Sequence, residues 1–266
     1  MTAKPPNERK TALVTGASAG IGAALARVLA REGFDLVLTG RRAARLAQLA
    51  AELERAHGVT ARIYAGDLAN PATSTAIVTS LERDRLAVDF LANNAGYGIH
   101  ESFHDTGWDR QKDFLQVMVT APCELTHRLL PGMVRRGYGR ILNVASVAGF
   151  MPGVRGNTLY GASKAFLVSF TQALHTEHRG TGVHATALCP GLTYSEFHDV
   201  TGSRRSMQRL PKFLWLDAGR VAEAGYRAVM RNQAVCIPSI QYRAIVSVVR
   251  ALPLGLAHRI AATRYG

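Results

Sequence analysis

At 266 residues the chain is long for an average domain but within the range of a single α/β domain. Its 47% apolar and 19% charged content excludes a disordered or fibrous chain. The net charge of +13 calls for an anionic partner. No zinc-finger, RNA-recognition or helix-turn-helix signature accompanies that charge, so nucleic acid is not expected.

Residues 1–9 are polar, with Pro5 and Pro6 and no apolar run, which predicts a flexible tail and not a secretory leader. Ala12-Leu13-Val14 reads as a buried strand, followed by a glycine-rich turn and a helix from Ile21 to Arg31 that Gly33 ends. Leu36-Val37-Leu38 is a second strand, Arg42 to Ala56 a helix, and Arg62-Ile63-Tyr64 a third strand. Asn70-Pro71 carries the cap and first-turn signature of the next helix. Val88 to Ala92 is a fourth strand, ending at Asn93-Asn94-Ala95-Gly96. A long helix is predicted from Trp108 towards Arg136, with Pro122 and Pro131 as bends or breaks. Arg140 to Ala145 is a fifth strand, Asn157 to His178 a helix, and Val183 to Leu188 a sixth strand closed by Pro190-Gly191. Asp217 to Asn232 and Ala234 to Ile237 are the last helix and strand. Strands alternating with long helices predict one α/β domain over residues 10–239, a parallel sheet covered on both faces. Ligands then bind beyond the carboxyl ends of the strands, where the strand order reverses.

The first turn, Thr15 to Gly22, has the form that cradles a dinucleotide. Gly16 suits the tight backbone, Gly20 close approach to a pyrophosphate and Gly22 helix packing, while the amides about Ser18 and Ile21 open the helix. An NAD-type carboxylate is expected some twenty positions later, but Gly40 stands there, followed by Arg41 and Arg42. Arg41 is the candidate partner for the 2′-phosphate of NADP; the alternative is two solvated arginines opening a helix.

Tyr160 and Lys164 lie four apart on one helix face, fourteen positions and more beyond Ser146. A phenol is a poor acid at neutral pH, and a neighbouring ammonium is expected to bring its pKa down. Such a pair suits proton exchange with a carbonyl or alcohol oxygen.

Glycine turn, Asn93-Asn94-Ala95-Gly96, Ser146 and Tyr160-x-x-x-Lys164 occur in that order, and over residues 10–195 the chain resembles the short-chain dehydrogenase/reductase family. The resemblance implies a Rossmann-type doubly wound parallel sheet and an NADP(H)-dependent oxidoreductase acting on a small carbonyl or alcohol. It implies Tyr160 as acid/base, Lys164 on the nicotinamide ribose and Ser146 on the substrate oxygen. It places Asp67 at the adenine, Asn93 near the adenosine ribose and Thr193, in Pro190-Gly191-Leu192-Thr193, at the nicotinamide end. Asp67 also fits a plain loop residue before the Asn70 cap, and Asn93 a strand-end turn. The chain departs from the family at Met118, where an asparagine that holds a relay water is usual. A thioether donates nothing, so slow turnover or an NADP(H)-binding sensor is the rival expectation.

Residues 193–216 mix aromatic and basic side chains, among them Phe197, Arg204, Arg205, Phe213 and Trp215, and the resemblance places them as a lid over the substrate. With Phe150, Met151 and Leu192 they predict an apolar pocket for a hydrophobic ketone or aldehyde. From Arg204 onward eleven Arg or Lys face two carboxylates, so this end holds nine of the thirteen surplus charges. Segment 240–266 is basic and amphipathic but too interrupted to span a bilayer; it either packs on the domain or a partner subunit, or lies on an anionic membrane. Cys123, Cys189 and Cys236 are scattered, without metal-ligand spacing, and read as reduced thiols of a cytoplasmic protein. The resemblance implies a homo-oligomer.

Overall fold

The computed structural model describes residues 9–99, 101–153, 158–194, 211–253, 255 and 259. Seven parallel strands form one sheet in the order β3-β2-β1-β4-β5-β6-β7. The strands are β1 Thr11–Thr15, β2 Asp35–Gly40, β3 Ala61–Ala65, β4 Val88–Asn93, β5 Gly139–Val144, β6 Val183–Leu188 and β7 Val235–Cys236. Between them run α1 Gly20–Arg31, α2 Ala43–His57, α3 Ala72–Arg83, α4 Trp108–Leu115, α5 Ala121–Arg135, α6 Thr158–Glu177 and α7 Ala218–Met230; α8 Ile240–Ala251 follows β7.

Because side chains alternate across a strand, β1 feeds two cores. Ala12 and Val14 pack against Leu25 and Leu29 of α1, Leu46 and Leu53 of α2 and Val221 of α7. Leu13, on the other face, joins Ile77 and Leu81 of α3, Leu125 of α5 and Leu174 of α6. Every residue of β1 is buried, as in a strand covered on both sides. The order reverses between β1 and β4, which paired neighbours place at the centre of the sheet. The ligand crevice of a doubly wound sheet opens at that point.

The predicted long helix is three pieces. A π-turn, Gln116–Thr120, widens it between α4 and α5. Pro122 follows the π-turn, in the first turn of α5, whereas Pro131 lies inside α5 without ending it. Asp217 caps α7, its carboxylate accepting the Arg220 N–H at 2.9 Å. Within the predicted lid, residues 195–210 (including Phe197, Arg204 and Arg205) lie outside the described residues, as do residues 1–8 of the tail and most of 254–266. Among the described residues no helix is long and apolar enough to cross a membrane.

Candidate active site

Thr15, the last residue of β1, ties the two central strands together at their carboxyl ends. Its hydroxyl donates to the Ala92 carbonyl at 3.2 Å and accepts the amides of Asn94 and Ala95 at 2.9 and 3.0 Å. Asn94 returns the contact, its side-chain amide reaching the carbonyls of Thr15 and Gly16 at 2.9 and 3.2 Å. Gly16 has φ +65°, and a Cβ there would stand 2.8 Å from Ala95 Cα. At Gly22 a Cβ would fall 2.3 Å from the Gly16 carbonyl oxygen, so the helix lies directly on the turn. The N-cap of α1 is Ala19, which offers no side-chain cap, and the first turn holds no carboxylate. Its amides, around Gly20 and Ile21, therefore face the rim open to an acceptor.

The cation beside this turn is Arg42. Its guanidinium donates to the Ser18 hydroxyl at 3.0 and 3.2 Å and to the Ser18 carbonyl at 3.3 Å. Arg41 points to Asp67 instead, 3.8 Å away across the ends of β2 and β3, with both groups largely exposed. Asp67 also accepts the Ala69 N–H at 3.0 Å, a loop contact that leaves much of its carboxylate exposed. An uncapped helix start, a turn without room for a Cβ and a cation on Ser18 fit a phosphorylated dinucleotide.

Asn93 behaves differently from Asn94. It is 3% exposed, and its side-chain nitrogen lies 2.8 Å from Asn143 Oδ1 and 3.2 Å from Thr126 Oγ1. Asn143 in turn donates to Thr171 at 2.8 Å. The side chain of Asn93 thus braces β4 against β5 and α5.

Ser146, after β5, accepts the Ala148 N–H at 3.1 Å and approaches the Pro190 carbonyl at 3.4 Å. It also hydrogen-bonds Tyr160, which opposes the main effect on that phenol: burial, pushing its pKa above the ordinary value. Lys164 is 5% exposed, with Nζ donating to the Val144 carbonyl at 2.8 Å and lying 5.6 Å from the Tyr160 ring centroid. Burial lowers the Lys164 pKa to about 8. The expected lowering of the tyrosine by the lysine is not what governs here: desolvation of the phenol outweighs it, and the ammonium itself is weakened.

Met118, 1% exposed in the π-turn, packs with Ile99 and Phe114, and Leu159 and Tyr160 close that cluster. Its sulfur stands where it would be 2.9 Å from a Cβ on Gly96. Tyr160 also borders a narrow cleft whose walls are apolar at Ile99, Phe103, Phe114 and Leu159 and polar at Glu101, Gln111 and Thr158. Thr193 is 5% exposed, turns its hydroxyl onto the Gly191 carbonyl at 3.0 Å and pairs with Leu216 as a parallel bridge.

The family described as short chain dehydrogenase matches residues 10–206, covering the glycine turn, the serine and the Tyr160/Lys164 helix. The chain is a short-chain dehydrogenase/reductase. This short-chain dehydrogenase/reductase is 36% identical over 190 residues to the NADP-dependent 3-hydroxy acid dehydrogenase YdfG of Escherichia coli (strain K12), covering 71% of this chain and 75% of that one. Among solved structures it resembles a short-chain dehydrogenase from Sphingobium yanoikuyae in complex with NADPH, with TM-score 0.82 and 32% identity over 93% of this chain and 94% of that one. It also resembles the bulky-bulky ketone specific alcohol dehydrogenase from Comamonas testosteroni, with TM-score 0.76 and 29% identity over 95% and 96% of the two chains.

Within this dehydrogenase/reductase the fold brings Ser146, Tyr160 and Lys164 to one rim, with Gly16, Ser18, Gly20, Ile21 and Gly22 across the crevice. Sequence reasoning selected Arg41 and passed over Arg42 as the arginine on the turn. Nothing in the spacing separates two adjacent arginines; only the entry of the chain into α2 aims one at Ser18. Asn94 was also passed over, although Asn after a strand is a familiar backbone tether.

Proposed function

We propose that this oxidoreductase is NADP(H)-dependent and acts on a hydrophobic ketone or aldehyde, or on the secondary or primary alcohol in reverse. The observation that carries the reading is the contact of Ser146 with Tyr160, beside buried Lys164 and a narrow cleft with both apolar and polar walls. NADPH, when bound, supplies the hydride. Ser18, Arg42 and Arg41 would hold its 2′-phosphate, the amides opening α1 its pyrophosphate, and Pro190 to Thr193 its nicotinamide end. Burial keeps the phenol protonated at neutral pH but weakens it as an acid, and the Ser146 hydrogen bond works against that rise. Tyr160 gives its proton to the carbonyl oxygen as the carbonyl carbon gains the hydride, and Ser146 hydrogen-bonds that oxygen. Lys164, an ammonium below about pH 8 and tied to the Val144 carbonyl, would hold the nicotinamide ribose with its remaining N–H donors. Acid catalysis of this kind contributes about 10²–10⁴-fold. Ile99, Phe114 and Leu159 favour an apolar substrate flank, in keeping with the ketone named for the Comamonas protein.

The test is loss of reduced-nicotinamide absorbance against a panel of carbonyls, with NADPH and NADH compared. Consumption of NADPH with apolar carbonyls supports the reading. Tight NADPH binding without consumption across the panel replaces it with the sensor that Met118 raises.

For α8, Tyr242 and Val246 dock on the domain while Ile240, Ile245 and Val248 face outward, and residues 240–266 hold four arginines and no carboxylate. We infer peripheral contact with an anionic membrane from that combination. Sedimentation with phosphatidylserine vesicles, lost in an Ile240→Ser/Val248→Ser variant, is the expected result; equal sedimentation of both proteins removes the reading. Self-association is supported by exposed Trp108, Val134 and Phe166 on α4, α5 and α6, and analytical ultracentrifugation decides it.

A further inference from the structure

One side chain of α8 reaches back under the end of β6. Tyr242 is 7% exposed, and its hydroxyl accepts the Leu192 N–H at 3.0 Å and donates to the Leu214 carbonyl at 2.9 Å. These two partners lie at either side of a backbone crossing. The Leu216 N–H donates to the Leu192 carbonyl at 2.7 Å, and the Tyr194 N–H to the Leu216 carbonyl at 2.9 Å. The tyrosine ring lies so close under Gly191 that a Cβ there would come within 2.0 Å of it. Only glycine lets the chain pass at that height, since any side chain would displace the ring or the strand end.

From the opposite side the same stretch is gripped by the catalytic loop. The Pro190 carbonyl accepts the Val147 N–H at 3.0 Å and faces the Ser146 hydroxyl at 3.4 Å. Residues 190–192 therefore lie between Ser146 and Tyr242, and no slack separates the two grips. Burial holds the Tyr242 phenol above its ordinary pKa, so it stays protonated and able to donate.

We propose that Tyr242 is a positioning residue of the active site: its phenol clamps the Gly191–Leu192 backbone to Leu214, and so sets where the nicotinamide end and Ser146 meet. The proposal rests on the reading that residues 190–193 receive the nicotinamide. It gives the terminal helix a part in cofactor binding that composition alone does not show. Removing the hydroxyl leaves a partly buried amide and a partly buried carbonyl without this partner, and the ring without its fixed height.

The test uses the full chain with Tyr242→Phe, which keeps the ring and loses both hydrogen bonds. Expected are amide exchange at Leu192 at least about tenfold faster and NADPH affinity weaker by about tenfold, the scale of one net buried hydrogen bond. A second arm crosses Gly191→Ala with Tyr242→Ala: the double variant should bind NADPH more tightly than Gly191→Ala alone, since the smaller residue clears the clash. Leu192 exchange at the wild-type rate, unchanged NADPH affinity in Tyr242→Phe, or no rescue in the double variant overturns the proposal. If the wild-type protein binds no NADPH, the cofactor reading fails, and Leu192 exchange alone still decides whether the clamp exists.

Discussion

Lys164 Nζ sits 5.6 Å from the Tyr160 ring centroid yet gives its hydrogen bond to the Val144 carbonyl, 2.8 Å away. The ammonium is thus fastened to the end of β5 and not to the phenol. Burial then works on both groups in opposite chemical senses, keeping the phenol protonated and weakening the ammonium. Tyr160 is held protonated, and the hydrogen bond from Ser146 is the contact that favours release of its proton.

The lysine's burial has a consequence for stability. Its folded pKa of about 8 lies below the ordinary lysine value of 10.5. The unfolded chain therefore binds more protons between those two values, and stability rises with pH across that window. Below about pH 8 both states carry the charge and the cost of burying it is fully present. Lys164→Met should lack this slope. Urea unfolding of both proteins at about pH 7 and about pH 9.5 should show the wild type gaining relative to the variant. Parallel changes in the two proteins would argue that Lys164 is not desolvated.

Arg42 and Arg41 differ in what they touch, so their removal should differ. Arg42→Ala is expected to weaken NADPH by about tenfold to a hundredfold, the range of one charge-assisted hydrogen bond, and NADH much less. Arg41→Ala should have a smaller effect in the same direction, because Asp67 already partners it. Isothermal titration with both cofactors measures this. Equal losses for NADPH and NADH in Arg42→Ala would reject a 2′-phosphate contact at Ser18.

Asn93→Ala separates a brace from a ligand contact. Loss of the amide should destabilise the fold by about 1–3 kcal/mol, leaving Asn143 and Thr126 short of a partner. NADPH affinity of the folded variant should stay within about threefold, well under the tenfold that 1.4 kcal/mol represents. A large loss of affinity without loss of thermal stability would return the side chain to the cofactor site.

Met118→Asn would place an amide among Ile99 and Phe114, close to the Gly96 backbone. Thermal denaturation should show the variant less stable by about 1–3 kcal/mol, whereas Met118→Leu should be nearly neutral. Faster NADPH turnover in the folded asparagine variant would mean that the methionine limits proton resupply. Unchanged turnover would mean that protons reach Lys164 by another path.

Much of this architecture is legible in the chain because burial on both faces leaves a plain mark. Strand β6 was expected at Val183 to Leu188 and occupies Val183–Leu188, where Val183, Ala185 and Ala187 alternate with His184 and Thr186 before Pro190-Gly191 closes the segment. The π-turn was not legible. A widening by one residue at Gln116–Thr120 alters hydrogen bonding but hardly disturbs the apolar spacing that marks a helix. Asn93 and Asn94 are chemically identical neighbours, and only the pleat decides which enters the core and which reaches the glycine turn. The clamp by Tyr242 was hidden for another reason: it joins residues far apart in the chain, and only the path of α8 over the end of β6 brings them together.

The most direct measurement compares wild type and Tyr160→Phe for NADPH oxidation with an apolar ketone, alongside NADPH binding by titration. The expected result is a fall in turnover of about 10³-fold or more with NADPH affinity nearly unchanged. Turnover retained by the phenylalanine variant would contradict the assignment of Tyr160 as the proton donor, and with it the mechanism built on this rim.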